Sequence, residues 1–338
     1  MNYVSTGDMA RTFQMRRHNV ELQRHLTRLS GELTTGVKSD LAGAVSGDFR
    51  ALSAIDHSLK TLKAHRTAAA EAELFAGTLQ TALGTAEELA EGLAPGLLIA
   101  ATSASPALVD TAALDARQKF EAAISALNTR IADRYLLSGD ATDRKPISDA
   151  RVILGSLSAA VAGQTTAAGL ASAVSAWFDA VPGGGGYLDT AYGGSPTPLA
   201  PFDLAPGESV TLGATAADPA LRRLLEGFAL GALVSEGALS GDPSGRAALV
   251  KTSAETLLAS ASQIADLRAA VGSAEARISS AATRNSAESA ALEIARGGIV
   301  AADPYETASA LETIRTQIET LYTLTARLSR LSLADHLG

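Results

Sequence analysis

The side chains that could carry chemistry are few in this 338-residue chain, which has five histidines and no cysteine. Without a thiol there is no thiolate nucleophile, no disulfide framework and no cysteine-ligated metal. Asp56, His57 and His65 fall in one segment of helical pattern. A hydrolytic role would need a nucleophile held by a third group, and none accompanies them, so solvated helix-face histidines are expected. His18 and His25 stand seven residues apart and share a helix face, but no acid or third histidine completes a metal site. Asp140 and Asp143, in SGDATDRKP, lack the ladder of oxygen ligands that a calcium loop needs, and a turn with local caps is expected. The run Gly183–Gly186 is not followed by the Lys-Ser/Thr of a phosphate loop and reads as a flexible linker. The expectation is therefore no catalytic residue, no metal and no cofactor.

The elements that would have to position any site are helical. Hydrophobic residues make up 46% of the chain and aromatic ones only 4%, so alanine and leucine carry most of the apolar content. Those two residues lose the least freedom in a helix. The length allows two or three domains with a sizeable core. A net charge of −8 argues against a nucleic-acid partner, since phosphate binding wants a basic face. The first twenty residues contain no apolar run of signal-peptide length, and the longest, Leu97 to Ala101, is far short of the roughly 18–20 residues of a spanning helix. The expectation is a chain that is cytoplasmic or exported without a cleavable signal, with no membrane partner.

Apolar spacing divides the chain into long flanks around a different middle. Leu22, Leu26, Leu29 and Leu33 step by four, three and four. A second helix is predicted from near Asp48, through Leu52, Ile55, Leu59 and Leu62 and then Leu79, Leu83, Ala86, Ala90 and Leu93, stopping at Pro95-Gly96. A third is predicted from about Asp110 to Leu137, with Gly139 as its C-terminal glycine. Beyond the middle, Val250, Leu257, Ile264, Val271 and Ile278 recur every seven residues. The last helix should begin at Asp303-Pro304, with Asp303 as cap and Glu306 closing a capping box, and then show Leu311, Ile314, Ile318, Leu321, Thr325 and Leu328 to a partner. Spacing of this kind signals helices packed on helices, and candidates of about 45 residues would be roughly 70 Å long.

The middle, 146–243, holds eight of the eleven prolines, and up to residue 245 it carries nine acids against three bases. It reads as a small mixed α/β insert facing solvent. A helix is expected over Thr166–Val181 and another from Asp218-Pro219, with extended stretches at Tyr187–Tyr192 and Ser209–Leu212 and a hairpin about Ala205-Pro206-Gly207. The overall expectation is a mainly α protein, a helical-bundle rod formed by both chain ends. Its domains would be 1–45 with 300–338, 46–145 with 244–299, and the insert. Residues 1–40 sum to +2 and 303–338 to −2, so the two ends suit each other electrostatically, in register more than in strength. Two helices paired alone would leave Tyr322, Leu324, Leu331 and Leu333 for other subunits.

Heptad helices at both ends around a variable middle resemble the flagellin superfamily. Three segments carry the resemblance. HLTRLSGELTTGVKSD (His25–Asp40), followed by GDFRALSAIDHSL, is similar to the family's N-terminal block. LNTRIADRYLLSGDATDRKPI (Leu127–Ile147) and IETLYTLTARLSRLSLADHLG (Ile318–Gly338) are similar to the corresponding segments of the hook–filament junction branch, the third hook-associated proteins. Filament flagellin usually has an Asn-Gly segment in place of Tyr135–Gly139 and a different ending, which makes it the alternative.

The resemblance implies a structural protein of the bacterial flagellum, an adaptor joining hook to filament, and no enzyme. It further implies export through the flagellum's own channel and an extracellular location. The implied partners are other copies of the chain, a hook-side hook-associated protein, flagellin and an export chaperone. Terminal helices would form an inner layer through Leu22, Leu26, Leu29, Leu33, Leu311, Ile314, Ile318, Leu321, Leu328 and Leu331, with the long helices around it and the insert outermost. A secreted adhesin using the acidic insert is the reading from another class.

Overall fold

A helix that is apolar on every side must lie inside the protein, and one stretch of this chain has that character. In a computed structural model, which describes residues 6–103 and 105–337, with side chains from 9 to 327, that stretch is fully enclosed. The described helices are α1 (Thr6–Thr35), α2 (Leu41–Ala44), α3 (Arg50–Thr102), α4 (Pro106–Leu127), α5 (Ala150–Ala160), α6 (Ala167–Asp179), α7 (Tyr187–Thr190), α8 (Pro219–Ser235), α9 (Pro243–Val300) and α10 (Pro304–Leu337). Two antiparallel hairpins accompany them, β1 (Arg130–Ile131) with β2 (Arg134–Tyr135), and β3 (Phe202–Ala205) with β4 (Glu208–Val210). The mainly α expectation holds. The chain divides into two compact units, residues 1–62 with 287–338 and residues 63–286.

The unit 63–286 is organised around α8, whose residues Leu224 through Val234 are all buried. Asp218 caps its start, accepting from Ala220 N–H at 2.9 Å, and Pro219 occupies the first turn as the sequence predicts. Two glycines let neighbouring helices close on it. A Cβ on Gly227 would lie 2.7 Å from Leu257 Cδ2, and one on Gly231 would lie 2.8 Å from Ala116 Cβ. Ser253 donates its hydroxyl to the Gly227 carbonyl at 2.6 Å across the same approach. Leu79, Leu83, Leu93 and Leu97 from α3, Phe120 and Leu127 from α4, and the heptad row Val250, Leu257, Ile264, Val271 and Ile278 from α9 complete one core. The expectation that the whole of 146–243 faces solvent therefore fails for α8.

Four further expectations are corrected. Helix α3 does not stop at Pro95-Gly96 but runs through to Thr102. Proline in a helix interior costs about 3 kcal/mol, yet Pro95 and Gly96 lie on the exposed face while Leu93, Ala94, Leu97 and Ala100 beside them are buried. The third helix ends at Leu127 and not Leu137, because Ala132 and Asp133 take positive φ (46° and 64°) and turn the chain into the β1–β2 hairpin. Gly139 is needed for close approach and not as a helix end, since a Cβ there would lie 2.4 Å from the Thr197 carbonyl oxygen. Tyr187–Thr190 is a helical turn and not an extended stretch. It is fastened by Asp189, whose carboxylate accepts from Gly183 N–H at 2.9 Å and Gly185 N–H at 2.7 Å. Those bonds make Gly183–Gly186 a hydrogen-bonded turn and not a flexible linker. Helix α5, with Ile153, Leu154 and Leu157 buried, had no counterpart in the sequence reading.

The unit 1–62 with 287–338 is simpler. Helix α1 runs antiparallel to α10, as the Gly36 carbonyl accepting from Ala302 N–H at 2.9 Å and the Gln23–Tyr322 contact at 3.5 Å require. Asp56, near the start of α3, accepts from Arg296, near the end of α9, at 2.7 Å.

Candidate assembly surface

The residues that could have formed a reactive site are scattered. His18, His25 and His57 are exposed. His65 Nδ1 stands 3.2 Å from the Asp203 carbonyl oxygen, and with an acceptor opposite, Nδ1 carries the proton. Asp140 lies in a turn where its N–H donates to the Thr197 carbonyl at 3.0 Å. Among the described residues no cluster of three or more histidine, aspartate or glutamate side chains is placed to hold a metal. No described helix is long and apolar enough to cross a membrane. Tyr187, fully buried and donating its hydroxyl to the Ala216 carbonyl at 3.0 Å, is pushed up in pKa by desolvation, which marks it as a core group and no acid.

What the sequence brings together from its two ends is the α1–α10 pair. The junction is tied first. Gly36, at φ +69°, ends α1. The chain then bridges Val37 to Ala301, with Lys38 N–H donating to the Val300 carbonyl at 2.9 Å. Glu32 is buried, and its Oε1 accepts from Ser39 N–H at 2.9 Å and from the Arg28 guanidinium at 3.3 Å, so its charge is compensated where the last turn of α1 meets the loop. Asp303 caps α10 through Tyr305 N–H (2.8 Å) and Glu306 N–H (3.0 Å).

From that tie the two apolar rows face each other. Leu22 and Leu29 are buried, Leu26 is partly buried, and Leu33 is 43% exposed. On α10, Leu311, Ile314, Ile318 and Leu321 are all partly buried. The side chains of Leu328, Leu331 and Leu333 lie outside the described residues. The α1 row expected from the sequence begins at Leu22. The same spacing extends back through Asn19 and Met15, both partly buried, and a row continued across a polar residue is the signal that would have found them.

The faces turned away from the seam are not polar throughout. Met9, Phe13 and Val20 on α1, and Tyr305, Tyr322 and Leu324 on α10, are exposed. At about 100° per residue, Met9, Phe13 and Val20 form a second stripe on α1, well round from the Leu22–Leu29 row. Among the described residues, the pair thus carries exposed apolar side chains outside its seam.

The comparisons agree with that character. No curated protein matches the chain. Residues 256–337, which comprise most of α9 and the whole of α10, match the family model of the bacterial flagellin C-terminal helical region. In its last two helices the chain is thus similar to the bacterial flagellins.

Proposed function

We propose that the protein is a structural subunit of the bacterial flagellum, and specifically the adaptor at the junction of hook and filament. The observation that carries the flagellar reading is the pairing of the two chain ends through a seam whose α10 side is only partly buried, in a chain whose C-terminal helices match those of flagellin. A two-helix seam is marginal by itself and gains stability when further helices cover it. Copies of the chain would therefore stack through α1 and α10 in a head-to-tail helical array outside the cell. The junction assignment rests on the segments Leu127–Ile147 and Ile318–Gly338. Its partners would be the hook-side hook-associated protein, flagellin and an export chaperone. The second reading is filament flagellin itself, favoured by the family of the C-terminal match.

Electron microscopy of a strain lacking the gene, with the medium assayed for flagellin, separates the two. Bare hooks with flagellin spilled into the medium establish the junction role, and bare hooks with no flagellin in the medium make this chain the filament subunit. Deleting residues 304–338, or replacing Ile318 and Leu321 by glutamate, should give a soluble helical protein that does not enter flagella. Entry of either variant would end the terminal-helix reading.

A further inference from the structure

We infer that the outward face of α1 is the docking site for α10 of a second copy of the chain, keyed by two arginine–glutamate pairs. Phe13, Arg17, Val20 and Arg24 follow one another by four, three and four residues and so form one row along α1. At about 100° per residue, that row lies roughly 170° round the helix from the seam row of Met15, Leu22 and Leu29. All four are exposed, Phe13 by 68% and Val20 by 49%. On α10, Glu312, Thr316, Glu319 and Thr323 repeat the same steps of four, three and four, also away from the seam, and all four are exposed. Thr316 and Thr323 donate their hydroxyls to the carbonyls of Glu312 (3.0 Å) and Glu319 (2.9 Å), which leaves their methyls as the groups free to pack. Arg17, Arg24 and Glu319 have no ion pair among the described residues, and Glu312 has only the exposed Arg315, at 3.5 Å.

Run antiparallel, the two rows match in every layer. Arg24 meets Glu312, Val20 meets Thr316, Arg17 meets Glu319 and Phe13 meets Thr323. A slip of one seven-residue repeat keeps only one of the two charge pairs. Run parallel with Arg17 on Glu312, the next step is three residues on α1 and four on α10, and the layers part. Neither row can reach the other within one chain, because α1 and α10 already face each other across the seam. The occupant is therefore another copy. Each α1 then lies between its own α10 and its neighbour's, in a heterologous contact that repeats from copy to copy. Exposed ion pairs add little strength, but two in step set partner and direction. The inference rests on the self-stacking proposed above and says which faces carry it.

The absence of cysteine makes the contact directly measurable. In the full chain at low salt, Val20→Cys with Thr316→Cys should, on oxidation, link copy to copy into a ladder of dimers and longer species. Val20→Cys with Gln317→Cys, which sits about 100° off the row, should give about a tenth as much or less. In the first background, Glu312→Arg with Glu319→Arg should cut the ladder about tenfold, and adding Arg17→Glu with Arg24→Glu to the same chain should restore it. All four charges are exposed, so the swap leaves the fold in place. Absence of the ladder overturns the inference, as does a ladder that survives the glutamate reversal or one that the full swap fails to restore. Microscopy of the deletion strain reads the flagellar role separately. Bare hooks with no ladder end this inference alone, and a ladder with normal flagella ends the flagellar reading alone.

Discussion

Helices α8 and α10 show how one composition serves two purposes. In α8 the residues from Leu224 to Val234 are enclosed on every side, and Phe228 has no exposed surface. In α10 the row Leu311, Ile314, Ile318 and Leu321 is covered on one side only, by α1, and Tyr305 is 85% exposed. Both helices carry leucines at helical spacing, but α8 meets α4, α6 and α9 around it and α10 has one long partner. Removing apolar surface from water contributes about 25 cal/mol per Å², so the enclosed helix is stable in the free chain while the one-sided pair awaits more cover.

The comparison breaks most readily at Phe228. Phe228→Ala should cost about 3–5 kcal/mol and lower the main denaturant-unfolding midpoint, because the space it fills is closed on all sides. Leu22→Asp, although Leu22 is itself only 5% exposed, should leave that main transition about where it was and remove helical circular dichroism equivalent to the terminal pair. Equal shifts in the two variants would erase the distinction between the regions. Next in size is Gly231→Val, whose side chain would press on Ala116 Cβ and Ser253 Oγ; overpacking of this kind costs about 1–3 kcal/mol and should show as a lowered melting temperature.

A smaller effect concerns the one carboxylate enclosed in α8. Glu226 is buried, and desolvation raises its pKa above the ordinary 4.5, opposed by the charge of Arg223 and by hydrogen bonds from Arg223 and Ser175. A carboxyl raised in the folded state binds its proton more tightly there than when unfolded. Its contribution to stability is therefore fully present below the unfolded value and is lost as pH rises through the folded one. Glu226→Gln should remove that fall, so the variant should gain on the parent as pH rises from about 4 to 8. Paired melting curves across that range measure it, and a constant difference would show that Arg223 fully compensates the burial. The smallest effect belongs to the other unit. Arg296→Ala should cost about 1 kcal/mol or less, because its pair with Asp56 is well exposed to solvent and screened by salt.

Much of this architecture was legible in the chain. The α9 row from Val250 to Ile278 is buried as its seven-residue repeat requires. Asp303 and Asp218 cap the helices they precede. The hairpin about Ala205-Pro206-Gly207 forms between β3 and β4. Where reading failed, a local signal met a tertiary one. Pro95 is a breaker by local chemistry, but the leucines on the opposite face of α3 hold the helix through it. Phe120 through Tyr135 continues a helical pattern until two residues at positive φ reverse the chain, and neither Ala132 nor Asp133 advertises that conformation as a glycine would. The acidic charge of 146–243 suggested a solvated insert; the charge is real, but of its acids α8 encloses only Glu226, beside Arg223.

By itself, the amino-acid sequence determined that this is a helical protein without thiol chemistry, and that its two ends carry rows able to pair. Those properties depend on residue type and spacing within a single element, which local chemistry settles. Tertiary structure decided that the centre of the larger unit is a helix from the supposed insert, that Leu33 stands open while Leu29 is closed, and that half-buried Asn19 hides its Oδ1 without a partner among the described residues. Burial is a property of what lies on the other side of a residue, and for these positions the other side is up to about three hundred residues away along the chain.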